Sequence, residues 1–234
     1  MNISHHLTDE TLQDYACGSL DPAMETLIAC HLTVCRKCRE REAVADAVGG
    51  VLLVEQEKVA VSGLATEVLE RARLGGVSAS AGAKVADRVA DGVADRVADR
   101  ERRLTCSDAP RPLARLLPRN LDDLAWRRVA PGIRQFNLST RHRHDGAFKL
   151  LHLSPGVTLM SHGHADRELT YVVRGSYTDA YGRFNSGDIA DLDESSAHRP
   201  VVDADEPCIA LIATNSPARF RGIFGRIMQP FVGI

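Results

Sequence analysis

A sixteen-residue repeat, VADRVADGVADRVADR at 85–100, divides this sequence into two parts with different hydrophobic periods. A unit of four residues drifts against the 3.6-residue turn of a helix, so its valines wind around the cylinder instead of building one buried face. Gly92 interrupts the repeat, and Pro110, Pro112 and Pro118 follow it, which reads as a linker. The chain has 234 residues, enough for two small cores. The expected organisation is a helical domain over 1–80, a linker over 81–112 and a β-rich domain over 113–234.

Before the linker the apolar residues recur at helical spacing. Thr8 is placed to cap a short first helix that ends at Gly18, and Asp21-Pro22 is a strong helix start, an acceptor followed by proline at the first helical position. Met24, Leu27, Ile28 and His31 then share a face. A third helix is expected from near Cys38 to about Val54, with Ala43, Val44, Ala47, Val48, Val51 and Leu52 as its apolar stripe. A further helix is expected over 62–74, carrying Leu64, Val68 and Ala72 and stopping at Gly75-Gly76. Such short helices offer few large side chains, so additional fixation by a metal is expected.

From about Arg134 the pattern changes to short β-rich runs, AFKLLHL, ELTYVV, DIADL and CIALIAT, separated by Ser154-Pro155-Gly156, Gly182, Ser186-Gly187 and Pro207. Many short strands at even spacing predict an all-β sandwich or barrel. No apolar run approaches the roughly 20 residues needed to span a bilayer, and the opening MNISHHLTDE lacks the cationic and apolar regions of a secretory signal. A reducing cytoplasm is therefore the expected compartment, and the six cysteines read as thiols or ligands before disulfides. Residues 1–75 hold twelve acidic side chains against seven basic ones. That balance disfavours direct contact with nucleic acid and suits a partner that itself binds it.

Two constellations carry metal chemistry. The first is His31-x3-Cys35-x2-Cys38, whose spacing lets all three side chains converge near a helix end. Zinc takes four ligands in a tetrahedron, and His5 or His6, just before the first helix, is the natural fourth. Cys17 and Cys30 fall outside this spacing. The second is Gly156-x5-His162-x-His164-x3-Glu168-x6-Gly175, with Gly187-x10-His198 after it. Residues two apart on a strand share a face, so His162 and His164 can face one barrel interior, joined by Glu168 and His198. Three imidazoles and a carboxylate suit zinc or another divalent transition metal. His142 and His144 form a rival pair, but their flanking arginines suggest a solvated loop. His152 reads as a barrel-wall residue.

The first segment resembles the zinc anti-sigma family, whose signature implies His6, His31, Cys35 and Cys38 as the zinc ligands. The second resembles the cupin superfamily at every position of its first motif. It departs in the second motif, where Asp193 and Ser195 replace the usual proline and glycine. A small all-α zinc-binding domain followed by an all-β cupin domain of the jelly-roll, double-stranded β-helix type is similar to the ChrR group of anti-sigma factors. Ala47-Val48-Gly49-Gly50 and Gln229-Pro230-Phe231 extend that likeness along the chain. The resemblance implies an extracytoplasmic-function sigma factor as a 1:1 partner, wedged by the helical domain, with the cupin required for release under photo-oxidative stress such as singlet oxygen. No catalysis, direct nucleic-acid contact or membrane is expected. The competing expectation is a metal-dependent cupin enzyme, a dioxygenase or isomerase, with an accessory zinc domain. A DNA-binding repressor is disfavoured by the lack of a basic recognition helix.

Overall fold

The computed structural model describes residues 3–56, 108–138, 146–159, 162–163, 167–192, 196–215 and 219–220. The expected helix over 62–74, the VADR repeat, His142, His144, His164, Asp193, Ser195 and 229–231 lie outside the described residues.

Local signals set the helix ends. Helix α1 (Asp9–Ala16) is capped by Thr8, whose hydroxyl accepts from the Thr11 amide at 3.2 Å, and Gly18 with φ 65° turns the chain beyond it. Helix α2 (Pro22–Val34) is capped by Asp21, which accepts from the amides of Ala23 and Met24. Met24, Leu27, Ile28 and His31 are all buried. Helix α3 runs over Arg36–Glu55 and starts two residues earlier than expected. Cys35 has an extended backbone (φ −96°, ψ 103°) that ends α2, and its sulfur accepts from the Cys38 amide at 3.4 Å, capping α3. The thiols of the first motif therefore sit at a junction between two helices and not along one. Within the expected apolar stripe of α3, Val44, Val48, Val51 and Leu52 are each more than half exposed.

The β-rich part is a barrel of antiparallel strands. A six-stranded sheet has the order β1 (Arg127–Ala130), β2 (Ile133–Asn137), β3 (Phe148–Leu153), β11 (Cys208–Thr214), β5 (Glu168–Arg174) and β8 (Ile189–Leu192). One three-stranded sheet joins β10 (Val201–Val202), β6 (Ser176–Asp179) and β7 (Gly182–Asn185), and another joins β12 (Arg219–Phe220), β4 (His162–Gly163) and β9 (Ala197–His198). Strand alternation sends Leu151, Leu153, Val172, Ala210 and Ile212 into the barrel with Tyr177 and Phe184. The opposite face, with Leu150, Leu169, Tyr171 and Leu211, joins Met24, Leu27 and Ile28 of α2 and Leu113 of the short helix α4 (Arg111–Ala114) in one core. β5 is thus buried on both faces, every residue but Arg174 being buried. Helices and barrel share a hydrophobic layer, which places the α2–α3 junction against the barrel.

Gly175 ends β5 at φ 76°, and a Cβ there would lie 2.3 Å from the Pro207 carbonyl oxygen. The expected result for Gly175→Ala is a loss of about 2 kcal/mol or more in a urea titration, with the fold otherwise retained.

Candidate metal centre

The junction geometry brings four side chains to one point. His6, His31, Cys35 and Cys38 each offer a ligand atom, and all four atoms lie within 4.8 Å of one another. His31 Nε2 is 3.3 Å from Cys38 Sγ, and His6 Nδ1 is 3.3 Å from Cys35 Sγ and 3.7 Å from Cys38 Sγ. Tetrahedral zinc with bonds of 2.0–2.3 Å needs edges of roughly 3.3–3.8 Å between ligands; these three separations meet that range, and the 4.8 Å bound on the whole set leaves a closure of at most about 1 Å elsewhere. The sequence left His5 or His6 open, and the structure brings His6 to the thiols. His5 instead stacks on Phe184 of β7, with ring centroids 3.9 Å apart.

Burial sets the protonation of the cluster. Burial pulls His31 down to about 4, and burial with the nearby Lys37 and Arg41 charges lowers His6, so both imidazoles are neutral at pH 7, the form that can ligate a metal. Burial pushes the Cys38 thiol up to about 11, so it stays protonated until a cation arrives. His31 Nδ1 is 2.9 Å from the Gly187 carbonyl in the β7–β8 turn. A carbonyl only accepts, so Nδ1 carries the proton and Nε2 is left free to face a metal. Arg41 of α3 donates to the Leu7 carbonyl at 2.7 Å and to Asp9, closing the residues that follow His6 onto the junction. Cys30 is fully buried and pushed up to about 12 by that burial, which makes it an inert packing residue. Cys17 is exposed.

In the barrel, three of the four candidate residues of the second constellation are described. His162 on β4 is the register partner of His198 on β9. Glu168 opens β5, and Glu168 and His198 are buried together in a cavity lined also by Leu153, Thr170 and Tyr177. His198 Nδ1 lies 2.8 Å from Asp179 Oδ2, the partner that orients an imidazole. His152 sits on β3 and meets Arg134 at 3.0 Å and Trp126 edge-on.

Residues 117–217 match the family model described as the ChrR Cupin-like domain. The whole chain is 36% identical, over 236 aligned positions and 100% of both sequences, to the anti-sigma-E factor ChrR of Cereibacter sphaeroides. The chain belongs to the ChrR family. A solved relative is the Rhodobacter sphaeroides SigE–anti-sigma ChrR complex, 32% identical over 91% of this chain and 100% of that one, with a TM-score of 0.68. The ChrR-family match places helices first and a cupin-like barrel second, as the residue patterns imply. No helix among the described residues is long and apolar enough to cross a membrane.

Two features of this ChrR-family chain were not anticipated from the sequence. Lys149 of β3 is buried, and burial together with Arg127 pulls it down to about 8, opposed by Glu168. Its position in AFKLLHL carries only the alternation signal. Asp188 is wholly buried between Asn185 and the chain's opening residues, and no local pattern marks a carboxylate three of whose four donors are more than 180 residues away.

Proposed function

We propose that this chain is a zinc-dependent anti-sigma factor. Its helical part, residues 1–80 in the division proposed here, captures an extracytoplasmic-function sigma factor as a 1:1 complex in the cytoplasm. Its barrel, residues 113–234, governs release under photo-oxidative stress such as singlet oxygen. The reading is carried by the cluster at the α2–α3 junction, from which α3 extends an apolar face with Val44, Val48, Val51 and Leu52 exposed. A stripe of that kind marks a protein-binding surface. The chain's end-to-end likeness to an anti-sigma factor supports the same reading.

Zinc held by His6, His31, Cys35 and Cys38 would fix the angle between α2 and α3 and tie the opening residues to both. Its binding free energy is folding free energy for that surface. In the barrel, His162, His164, Glu168 and His198 would hold a second divalent metal, zinc or a transition metal, and Asp179 would orient His198. The role proposed for that site is regulatory and not catalytic.

Co-expression with a sigma factor encoded beside it tests the function. The expected product is a 1:1 complex that silences transcription from the cognate promoter in a reconstituted assay. Failure to form any complex, with promoter DNA bound by the chain alone or a substrate turned over by the barrel, contradicts it. Metal entry has its own signature, because thiol ligands must lose their protons. Zinc addition to the reduced, metal-free chain at pH 7 is expected to release about two protons per ion, measured by calorimetry in buffers of different ionisation heat. Release of none argues against thiolate ligation.

A further inference from the structure

The two histidine arms of the junction cluster are held from outside the helices. Asp188, 0% exposed in the β7–β8 turn, accepts from the Ser4 amide at 2.7 Å, the Ser4 hydroxyl at 3.0 Å, the His5 amide at 3.0 Å and the Asn185 amide at 2.8 Å. Burial opposes its charge, yet the bonds from Asn185, His5 and Ser4 outweigh that cost and keep it ionised. Asp191 on β8 accepts from both the amide and the hydroxyl of Thr8, at 3.0 and 2.9 Å. His6 therefore lies in a short span, residues 4–8, that the barrel grips at both ends. The neighbouring Gly187 carbonyl fixes the His31 ring. Cys35 and Cys38, by contrast, sit on the α2–α3 junction itself, where the Leu7 backbone also bonds to the Cys38 thiol.

The same turn is wired to the barrel interior. β8 begins one residue after Asp188, and its Leu192 is the register partner of Glu168. On the other side, Asp179 receives His198 Nδ1 and the Tyr181 amide, each at 2.8 Å, and the Tyr181 carbonyl lies 3.4 Å from His5 Nε2.

From this arrangement we infer that Asp188 is a positioning residue for the amino-terminal metal centre: with the Gly187 carbonyl it presets both imidazole ligands, so that zinc retention depends on the barrel's β7–β8 turn. The inference rests on the zinc reading above. Partners that orient ligands are worth about 10–100-fold in metal affinity. A shift of the turn would loosen two of the four ligands while leaving the thiolates in place.

The test uses the full chain, with zinc affinity set by competition against a chromophoric chelator and coordination read from the visible bands of the cobalt(II) form. Asp188→Asn is expected to weaken zinc by about 10–100-fold and to shift the cobalt bands, with far-UV circular dichroism unchanged. His5→Ala removes the ring stacked on Phe184 while leaving every barrel residue unchanged, and a smaller loss in the same direction is expected. Arg134→Ala, on the far β2 surface, is expected to match the parent. A folded Asp188→Asn chain with parental zinc affinity and parental cobalt bands overturns the inference. If that variant does not fold, His5→Ala decides, and parental values there overturn it equally. A parent that binds zinc when the variants do not differ from it isolates failure of this inference; a parent that binds none removes the zinc reading and this inference together.

Discussion

Replacing Cys35 and Cys38 together with serine is expected to strip the amino-terminal centre of zinc and to weaken sigma-factor capture by at least about 100-fold, or roughly 2.7 kcal/mol. Serine is close in size to cysteine, so packing around the buried positions changes little, but its hydroxyl does not ionise to a soft anion and is a poor zinc ligand. Structural zinc contributes about 10–16 kcal/mol of apparent binding energy in small domains. Here that energy would lock a junction whose backbone is already broken at Cys35. Without the ion, α3 is held to α1 by the Arg41 bonds to Leu7 and Asp9, part of which is exposed pairing of small worth. The orientation of the apolar face is then lost while α2, buried on the barrel, stays in place. The check is metal content by mass spectrometry beside a pull-down of the sigma factor. A metal-free double variant that still captures its partner tightly removes zinc from the function.

The second large effect separates capture from release. Substituting His162→Ala, His164→Ala and Glu168→Gln is expected to leave capture within about threefold of the parent, under roughly 0.7 kcal/mol, and to abolish induction when cells are exposed to singlet oxygen. Glu168 is buried, and glutamine keeps its shape without a charge, which limits the folding cost of the change. The α2–α3 junction and the exposed face of α3 lie outside the barrel cavity, so the capture surface should persist. Reporter expression from the sigma-dependent promoter, with and without a photosensitiser, reads the outcome. A triple variant that still releases its partner on illumination excludes a sensing role for the proposed barrel ligands.

Local chemistry was legible in the sequence and long-range chemistry was not. Thr8 and Asp21-Pro22 announced two helix starts because capping acts within three residues. His31, Cys35 and Cys38 stood out because ligand spacing is a local code, and alternation at 148–153 and 208–214 predicted strands that the fold contains. The break at Cys35 was hidden, since its cause is a thiol acting as a helix cap, which composition does not advertise. The stripe on α3 was legible as an apolar face, but periodicity does not say what covers such a face. The choice between His5 and His6, and the roles of Asp188 and Gly187, depend on contacts spanning more than 150 residues, which only the packed barrel brings about.

Native mass spectrometry of the gently purified chain, alone and with its sigma factor, tests the central claim most directly. The expected spectrum shows a zinc-bearing chain that forms a 1:1 complex, and stripping the amino-terminal ion with a chelator should dissolve that complex in step with zinc loss. A chain free of metal at His6, His31, Cys35 and Cys38 that nevertheless forms the same stable complex contradicts the account.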